Sequence, residues 1–176
     1  GIGQGFIQTT PIQLCLMTAQ RANGGYKIYP KIVANDDNQY ADKFTPLYKK
    51  SQNIKIIQDA MFSSTNEVRG TSYRSRLDDP KYRFAGKTGT SQVKKITERD
   101  RELDLKTFQI PYEERDHALY VAFGPYKSPR YALSIIIEHG GSGGTVAAPL
   151  AKELFKMIID RHEIRKNYDN KKYLDI

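Results

Sequence analysis

The chain has 176 residues, 28 Lys and Arg against 20 Asp and Glu, and a net charge of +8. That length carries one domain with a core, and 39% hydrophobic residues with 12 Tyr and 7 Phe exclude a disordered composition. The basic residues are dispersed among acids, with no Arg-rich helix and no Cys/His finger, so no nucleic acid is expected as a partner.

Cys15 is the only cysteine, which excludes an internal disulfide. No run reaches the ~18 apolar residues of a membrane helix, and no signal peptide is visible. The first residue is Gly, so the chain reads as a piece of something longer, with any targeting segment upstream.

Gly1 to Gly5 is glycine-rich, but without a preceding strand it reads as a turn and not as a nucleotide loop. Thr10 to Asn23 predicts an amphipathic helix. Thr10 caps it, Pro11 takes the first helical position, Gln13 completes a capping box, and Gly24-Gly25 stops it. Ile12, Cys15, Leu16, Ala19 and Ala22 share its apolar face, where Cys15 reads as a small core residue. Tyr26 to Val33 predicts a short strand, with Pro30 implying an edge. Asn35 to Ser51 is a polar surface excursion. Asn53 to about Ser64 is a second helix with Ile54, Ile57 and Met61 in register. Thr71 to Lys81 is a short helix or turn ended by Asp78-Asp79-Pro80.

Tyr82 to Val93 predicts a strand with a small-residue centre. Gly86 and Gly89 bracket Lys87 and Thr88, so one edge offers a cation, two hydroxyls and bare backbone. That combination suits an anionic, peptide-like ligand, held by its carboxylate and by strand addition. A bare Lys-Ser/Thr-Gly arises by chance in roughly one chain in ten of this length, so its weight depends on the surroundings. Lys94 to Asp116 is a long charged stretch with little periodicity, either a lid over a cleft or a solvated flap. His117 to Phe123 and Tyr131 to Glu138 are strands joined by a hairpin turn over 124–130. Ser134 to Ile137 is nearly all apolar, which predicts burial on both faces. The glycine-rich His139 to Thr145 lacks a phosphate loop's Gly-Lys-Ser/Thr ending and reads as a strand-to-helix turn. A last helix runs from about Ala148 to about Ile164, with Leu150, Leu154, Met157, Ile158 and Arg161 on one side. Arg165 to Ile176 reads as a polar tail that frays. Residues 1–165 are thus one unit and 166–176 a tail. The order predicts an α/β (α+β) sandwich, an antiparallel sheet flanked by helices.

Gly86-Lys87-Thr88-Gly89-Thr90-Ser91-Gln92 resembles the Lys-Thr-Gly box of penicillin-recognising serine transpeptidases. Several separated segments resemble the class B penicillin-binding proteins in the same order. These are Ile2-Gly3-Gln4-Gly5 with Thr10-Pro11-Ile12-Gln13-Leu14, then Arg69-Gly70-Thr71, then Asp116-His117-Ala118-Leu119 with Phe123-Gly124-Pro125-Tyr126. Glu138-His139-Gly140-Gly141 with Ala147-Ala148-Pro149 completes the set. The nearest type is similar to the elongation transpeptidases of the penicillin-binding protein 2 kind, and the match covers only the C-terminal part of their domain. The family's Ser-x-x-Lys and Ser-x-Asn boxes are expected upstream, leaving the sheet incomplete on its N-terminal side. Ser91-Gln92-Val93-Lys94 imitates the first box, but strand residues three apart point to opposite faces. Ser64-Thr65-Asn66 imitates the second, at a helix end in the wrong order. Both read as chance.

The resemblance implies a role for each matching residue. Lys87 supplies positive charge to the substrate carboxylate. Thr88 and Thr90 hydrogen-bond the terminal carboxylate of a D-alanyl-D-alanine stem peptide, Gly89 keeps the strand bare, and the Thr90 N–H forms half of an oxyanion hole. No metal or cofactor is needed. His117 and His139 read as structural groups at strand ends. The implied partners of the full-length chain are peptidoglycan stem peptides, β-lactam antibiotics, a membrane peptidoglycan glycosyltransferase and elongation-complex proteins. The implied location is the periplasmic face of a bacterial inner membrane, reached by an N-terminal anchor outside this chain. Without a nucleophile the fragment alone is expected to be inactive. The alternatives are a β-lactamase or D,D-carboxypeptidase relative, and a non-catalytic peptide-binding module.

Overall fold

The computed structural model describes residues 7–32, 45–95, 98–103 and 105–172. The glycine-rich start at Gly1–Gly5 and most of the polar excursion after Asn35 lie outside the described residues.

Helix α1 spans Pro11–Ala22 and opens as its sequence dictates. The Gln13 N–H donates to Thr10 Oγ1 at 3.4 Å, and the Thr10 N–H donates to Gln13 Oε1 at 2.8 Å. Together they satisfy donors that a helix start leaves orphaned. Gly24 and Gly25 end it at φ of 93° and 92°, a region costly for residues with a Cβ. Cys15, Leu16, Ala19 and Ala22 are half-buried as the apolar face requires, whereas Ile12 is 59% exposed. Thr18 is fully buried instead, its hydroxyl satisfied by the Leu14 carbonyl at 2.8 Å. Helix α2 spans Ser51–Asn66, with Ile54 and Met61 buried and Ile57 half-buried.

Between these helices the described part of the strand predicted from Tyr26 to Val33, Tyr26–Ile32, is not a strand, and Val33 lies outside the described residues. Tyr26 makes an isolated bridge to Pro46, Lys27 N–H donates to the Thr45 carbonyl, and Tyr29 and Ile32 face solvent. Its apolar residues have no sheet face to cover, so nothing favours extending the pairing.

Three strands make one antiparallel sheet in the order β1-β2-β3: β1 Ala85–Ser91, β2 His117–Gly124 and β3 Tyr131–Ile137. Strand alternation sorts their side chains onto two faces. Ala85, Val121, Phe123 and Ala132 meet α1 and α2 through Ala22, Ile57 and Met61. Phe84, Ala118, Tyr120 and Ala122 meet helix α4, Ala148–Lys172, through Ala148, Ala151, Phe155 and Ile159. Each fully buried aromatic here stabilises the fold by about 1.5–3 kcal/mol. Strand β3 is half-buried at every position, which corrects the expectation of burial on both faces. It is an outer strand of this sheet, and helices cover each of its faces only in part.

Helix α4 turns the other way from the expected one. Leu150, Leu154 and Met157 are exposed, Met157 at 64%, while Ala148, Ala151, Phe155 and Ile159 are buried. The alanines let the helix axis approach the sheet, so that Phe155 stacks on Phe84 with ring centroids 4.8 Å apart and planes at 21°. Close approach needs small residues more than it needs the most apolar stripe. The helix continues to Lys172, past its expected end near Ile164.

The stretch from Lys94 to Asp116 holds a short helix α3, Glu98–Leu103, and two 3₁₀ turns, Thr107–Gln109 and Tyr112–Glu114. The Val93 N–H donates to Asp116 Oδ1 at 3.3 Å and the Arg115 Nε–H to the Ile110 carbonyl at 2.9 Å. Thus its return leg is tied down beside β2.

Candidate functional site

Strand β1 carries the Lys-Thr-Gly sequence, and the surrounding elements determine which of its groups are reachable. Lys87 pairs with Val121, Thr88 with Tyr120, Gly89 with Leu119 and Thr90 with Ala118. Gly86 lies over the ring of Tyr120. A Cβ there would stand 2.3 Å from Tyr120 Oη, so only glycine lets the phenol pass beneath the strand. That phenol is fully buried and bonds Thr65 Oγ1 at 2.9 Å and Ser72 Oγ at 3.0 Å. Burial pushes the Tyr120 phenol above its ordinary range, against the smaller opposing pull of Ser72 and Thr65, so it stays neutral.

The end of α2 closes part of the outer edge of β1. The Gly86 N–H donates to Thr65 Oγ1 at 3.0 Å, and Asn66 Nδ2 donates to the Phe84 carbonyl at 2.9 Å. These are groups a neighbouring strand would use. The Gly86 N–H points outward, so the two-residue period points the Thr88 and Thr90 N–H groups outward as well. The edge is therefore capped as far as Gly86, and a ligand strand can pair only beyond it.

Past that stop lies a row of polar atoms. Exposed Lys87 Nζ donates to the Thr88 carbonyl at 2.9 Å and to Thr88 Oγ1 at 3.2 Å. Thr88 Oγ1 is 3.1 Å from Thr71 Oγ1, which is 3.2 Å from Ser64 Oγ. A cavity of roughly 600 Å³ opens beside Lys87, between α1, α2 and β1, and its lining includes Thr18, Arg21, Met61, Ser64 and Thr71. Behind the strand, the turn over Gly143–Ala147 sits directly on backbone: a Cβ at Gly143 would lie 2.2 Å from the Leu119 carbonyl and 2.5 Å from that of Gly89.

The structure thus brings Lys87 and Thr88 together with Ser64 and Thr71. Thr90 stands exposed farther along the same strand, and a Cβ on Gly89 would crowd Leu119 at 3.2 Å. Thr71 belonged to the Arg69-Gly70-Thr71 match and Ser64 to the dismissed Ser-x-Asn imitation. Neither stood out as a site residue, because nothing in the spacing shows that α2 and the following turn end against β1. The imitation does not reproduce a joint Ser/Asn presentation. Ser64 bonds Thr71, whereas Asn66 is spent on the Phe62 and Phe84 carbonyls. Lys94 of the other imitation pairs with Glu114 at 2.6 Å.

His117 and His139, expected as structural groups at strand ends, meet each other and backbone. His117 Nδ1 accepts the His139 N–H at 2.9 Å, and His139 Nδ1 meets the Arg115 carbonyl at 3.1 Å, at a residue with φ of 54°. Cys15 Sγ donates to the Ala132 carbonyl at 3.5 Å, and burial pushes its thiol above the ordinary range. Among the described residues no group of three or more His, Cys, Asp or Glu is arranged to hold a metal ion, and no helix is long and apolar enough to cross a membrane.

The Lys-Thr-Gly sequence therefore lies on a strand that α2 caps at one end and α4 backs. The penicillin binding protein transpeptidase domain model matches residues 1–156, and the chain belongs to that family. It is 33% identical over 174 residues to the peptidoglycan D,D-transpeptidase MrdA of Salmonella typhimurium strain SL1344, covering 91% of this chain and 26% of that protein. Against MrdA of Acinetobacter baumannii it is 34% identical over 165 residues, covering 88% and 23%. The structure of Pseudomonas aeruginosa PBP2 in complex with WCK 5153 superposes with a TM-score of 0.66 at 31% identity, covering 89% of this chain and 32% of that one. PBP2 from Helicobacter pylori in complex with MreC gives 0.68 at 28%, covering 93% and 26%. The antiparallel sheet flanked by helices is therefore part of a penicillin-binding transpeptidase domain, and the chain spans about a quarter of the length of the curated relatives it matches.

Proposed function

We propose that the complete polypeptide containing this chain is a peptidoglycan D,D-transpeptidase, and that this chain supplies its substrate-binding wall. The observation that carries the reading is the outer edge of β1, closed by Thr65 and Asn66 up to Gly86 and lined beyond it by Lys87, Thr88 and Thr90.

In this reading a D-alanyl-D-alanine stem peptide lies along the edge beyond Gly86. Lys87 attracts its terminal carboxylate, and the hydroxyls of Thr88 and Thr90 donate to it. The Thr90 N–H, on the outward side of the strand, polarises the penultimate carbonyl as half of an oxyanion hole. A serine from elsewhere in the complete protein attacks that carbonyl. The C–N bond breaks, the D-alanine amine takes a proton and leaves, and the acyl-serine passes the peptide to an amine of a neighbouring strand. β-Lactams would acylate the same serine. The MreC complex of the Helicobacter pylori relative supports elongation-complex proteins as partners. A membrane peptidoglycan glycosyltransferase is the other expected partner, and the periplasmic face of the inner membrane the expected location.

The test is labelling by a fluorescent penicillin. The complete protein is expected to label, Lys87→Ala in it to label at least a hundred-fold more slowly, on the order of a lost oxyanion or carboxylate contact, and this chain alone not to label. Unchanged labelling of Lys87→Ala removes Lys87 from the mechanism. Covalent label at Ser91 of the isolated chain would overturn the assignment of the nucleophile to another part of the protein.

A further inference from the structure

Thr88 has one hydroxyl proton and two lone pairs, so what fills the lone pairs decides where the proton goes. Lys87 Nζ can only donate, and it fills one lone pair from 3.2 Å. Thr71 Oγ1, at 3.1 Å, is the second neighbour. We infer that Thr71 is a positioning residue of the carboxylate site: it donates into Thr88, accepts from Ser64, and so leaves the Thr88 proton to a substrate carboxylate. The inference rests on the transpeptidase reading above and adds to it a hydroxyl row, Ser64 to Thr71 to Thr88, with one direction of donation.

The placement of Thr71 argues that the row is built. A Cβ on Gly70 would lie 2.3 Å from the Ser64 carbonyl, so the chain enters Thr71 pressed against the end of α2. The Ser72 N–H donates to that same carbonyl at 3.0 Å, and Ser72 Oγ donates to it as well at 3.0 Å. From the other side a Cβ on Gly144 would stand 2.7 Å from the Thr71 carbonyl. Backbone thus holds Thr71 on both sides, while its hydroxyl faces the exposed cleft between Ser64 and Thr88. An exposed threonine needs no such confinement for stability alone. Confinement does matter for a hydroxyl that must meet a second hydroxyl at hydrogen-bond distance, and donors in series polarise one another.

The experiment compares, in the complete protein, an N-acylated D-alanyl-D-alanine peptide with its C-terminal amide, reading release of D-alanine or D-alaninamide. The expected result is that Thr71→Val lowers the acid-over-amide ratio of kcat/KM roughly five-fold, the size of one lost hydrogen bond, while Thr71→Ser keeps the ratio. A merely structural loss would slow both substrates alike and leave the ratio unchanged, which would overturn the inference. Equal ratios in Thr71→Val and the unsubstituted protein, with release intact, overturn this inference alone. Absence of release from the unsubstituted protein overturns the transpeptidase reading and this inference with it.

Discussion

Removing one oxygen from Tyr120 isolates the forces that hold β1 in place. In Tyr120→Phe the ring still fills the space under Gly86, but the bonds to Thr65 at 2.9 Å and Ser72 at 3.0 Å are lost. Neither partner is orphaned: Thr65 still accepts the Gly86 N–H and Ser72 still donates to the Ser64 carbonyl. Two neutral bonds at about 0.5–1.5 kcal/mol each, offset by the relief of desolvating the phenol, give a net loss of about 1–2 kcal/mol. With a urea slope of roughly 2 kcal/mol per M for a chain of this length, the midpoint should fall by roughly 0.5–1 M at unchanged slope, followed by far-UV circular dichroism. The pH dependence has a definite sign. Burial holds the folded-state phenol above its ordinary value, so above about pH 10 the unfolded chain loses a proton that the folded chain keeps. Stability from this group is complete below that pH and declines above it, by up to about 1.4 kcal/mol per pH unit. Tyr120→Phe should lose that one-proton share of the alkaline slope. A midpoint unchanged at neutral pH, with the alkaline slope intact, would refute the buried network as a support for β1.

Phe155→Ala empties the ring that stacks on Phe84 and should cost about 3–5 kcal/mol, a large fraction of any domain's stability, read as loss of the cooperative urea transition. Gly143→Ala places a methyl against two carbonyls with nowhere to yield. It should destabilise more than Gly89→Ala, whose nearest contact is a side-chain carbon at 3.2 Å, and equal midpoints would count against the seating of that turn on β1. On α4, Ala151→Leu should destabilise by about 1–3 kcal/mol through overpacking, whereas Leu154→Gln on the exposed face of this chain should stay within about 0.5 kcal/mol. The reverse order would restore the Leu-rich stripe as the buried face.

How far the fold can be read from the sequence depends on the kind of signal. The start of α1 was legible to the residue, because Thr10, Pro11 and Gln13 act on backbone groups within one turn. The strands were legible to within three residues, and the β2–β3 pairing followed from the short connection between Gly124 and Tyr131. The orientation of α4 was not legible. Periodicity marks two stripes on that helix, and choosing between them requires knowing that the sheet presents Phe84, Ala118 and Ala122 and has room for Phe155. The described part of the Tyr26 to Val33 strand, Tyr26–Ile32, failed for the related reason that a strand needs a partner, and composition does not supply one. At the site, Lys87 and Thr88 were visible as a local string. Thr65, Ser72 and Tyr120 were not, since their meeting depends on three elements converging.

That convergence explains why the two halves of the Lys-Thr-Gly edge differ. Before Gly86 the outward groups of β1 are used by α2, through a hydroxyl and an amide that together imitate one more strand. Beyond it the next outward residue is Thr88, whose hydroxyl meets Lys87 and Thr71 and not an α2 side chain, and the helix ends at Asn66. The α2 cap therefore ends at Gly86, immediately before Lys87. A bound peptide could not slide toward Phe84 without displacing Thr65 from the Gly86 N–H, and a ligand strand has its register limited at one end by the helix terminus. Replacing Asn66 alone would leave Thr65 in place and the limit unchanged. Replacing Thr65 by Val would expose the Gly86 N–H, and the edge would lengthen by one pairing site toward the core.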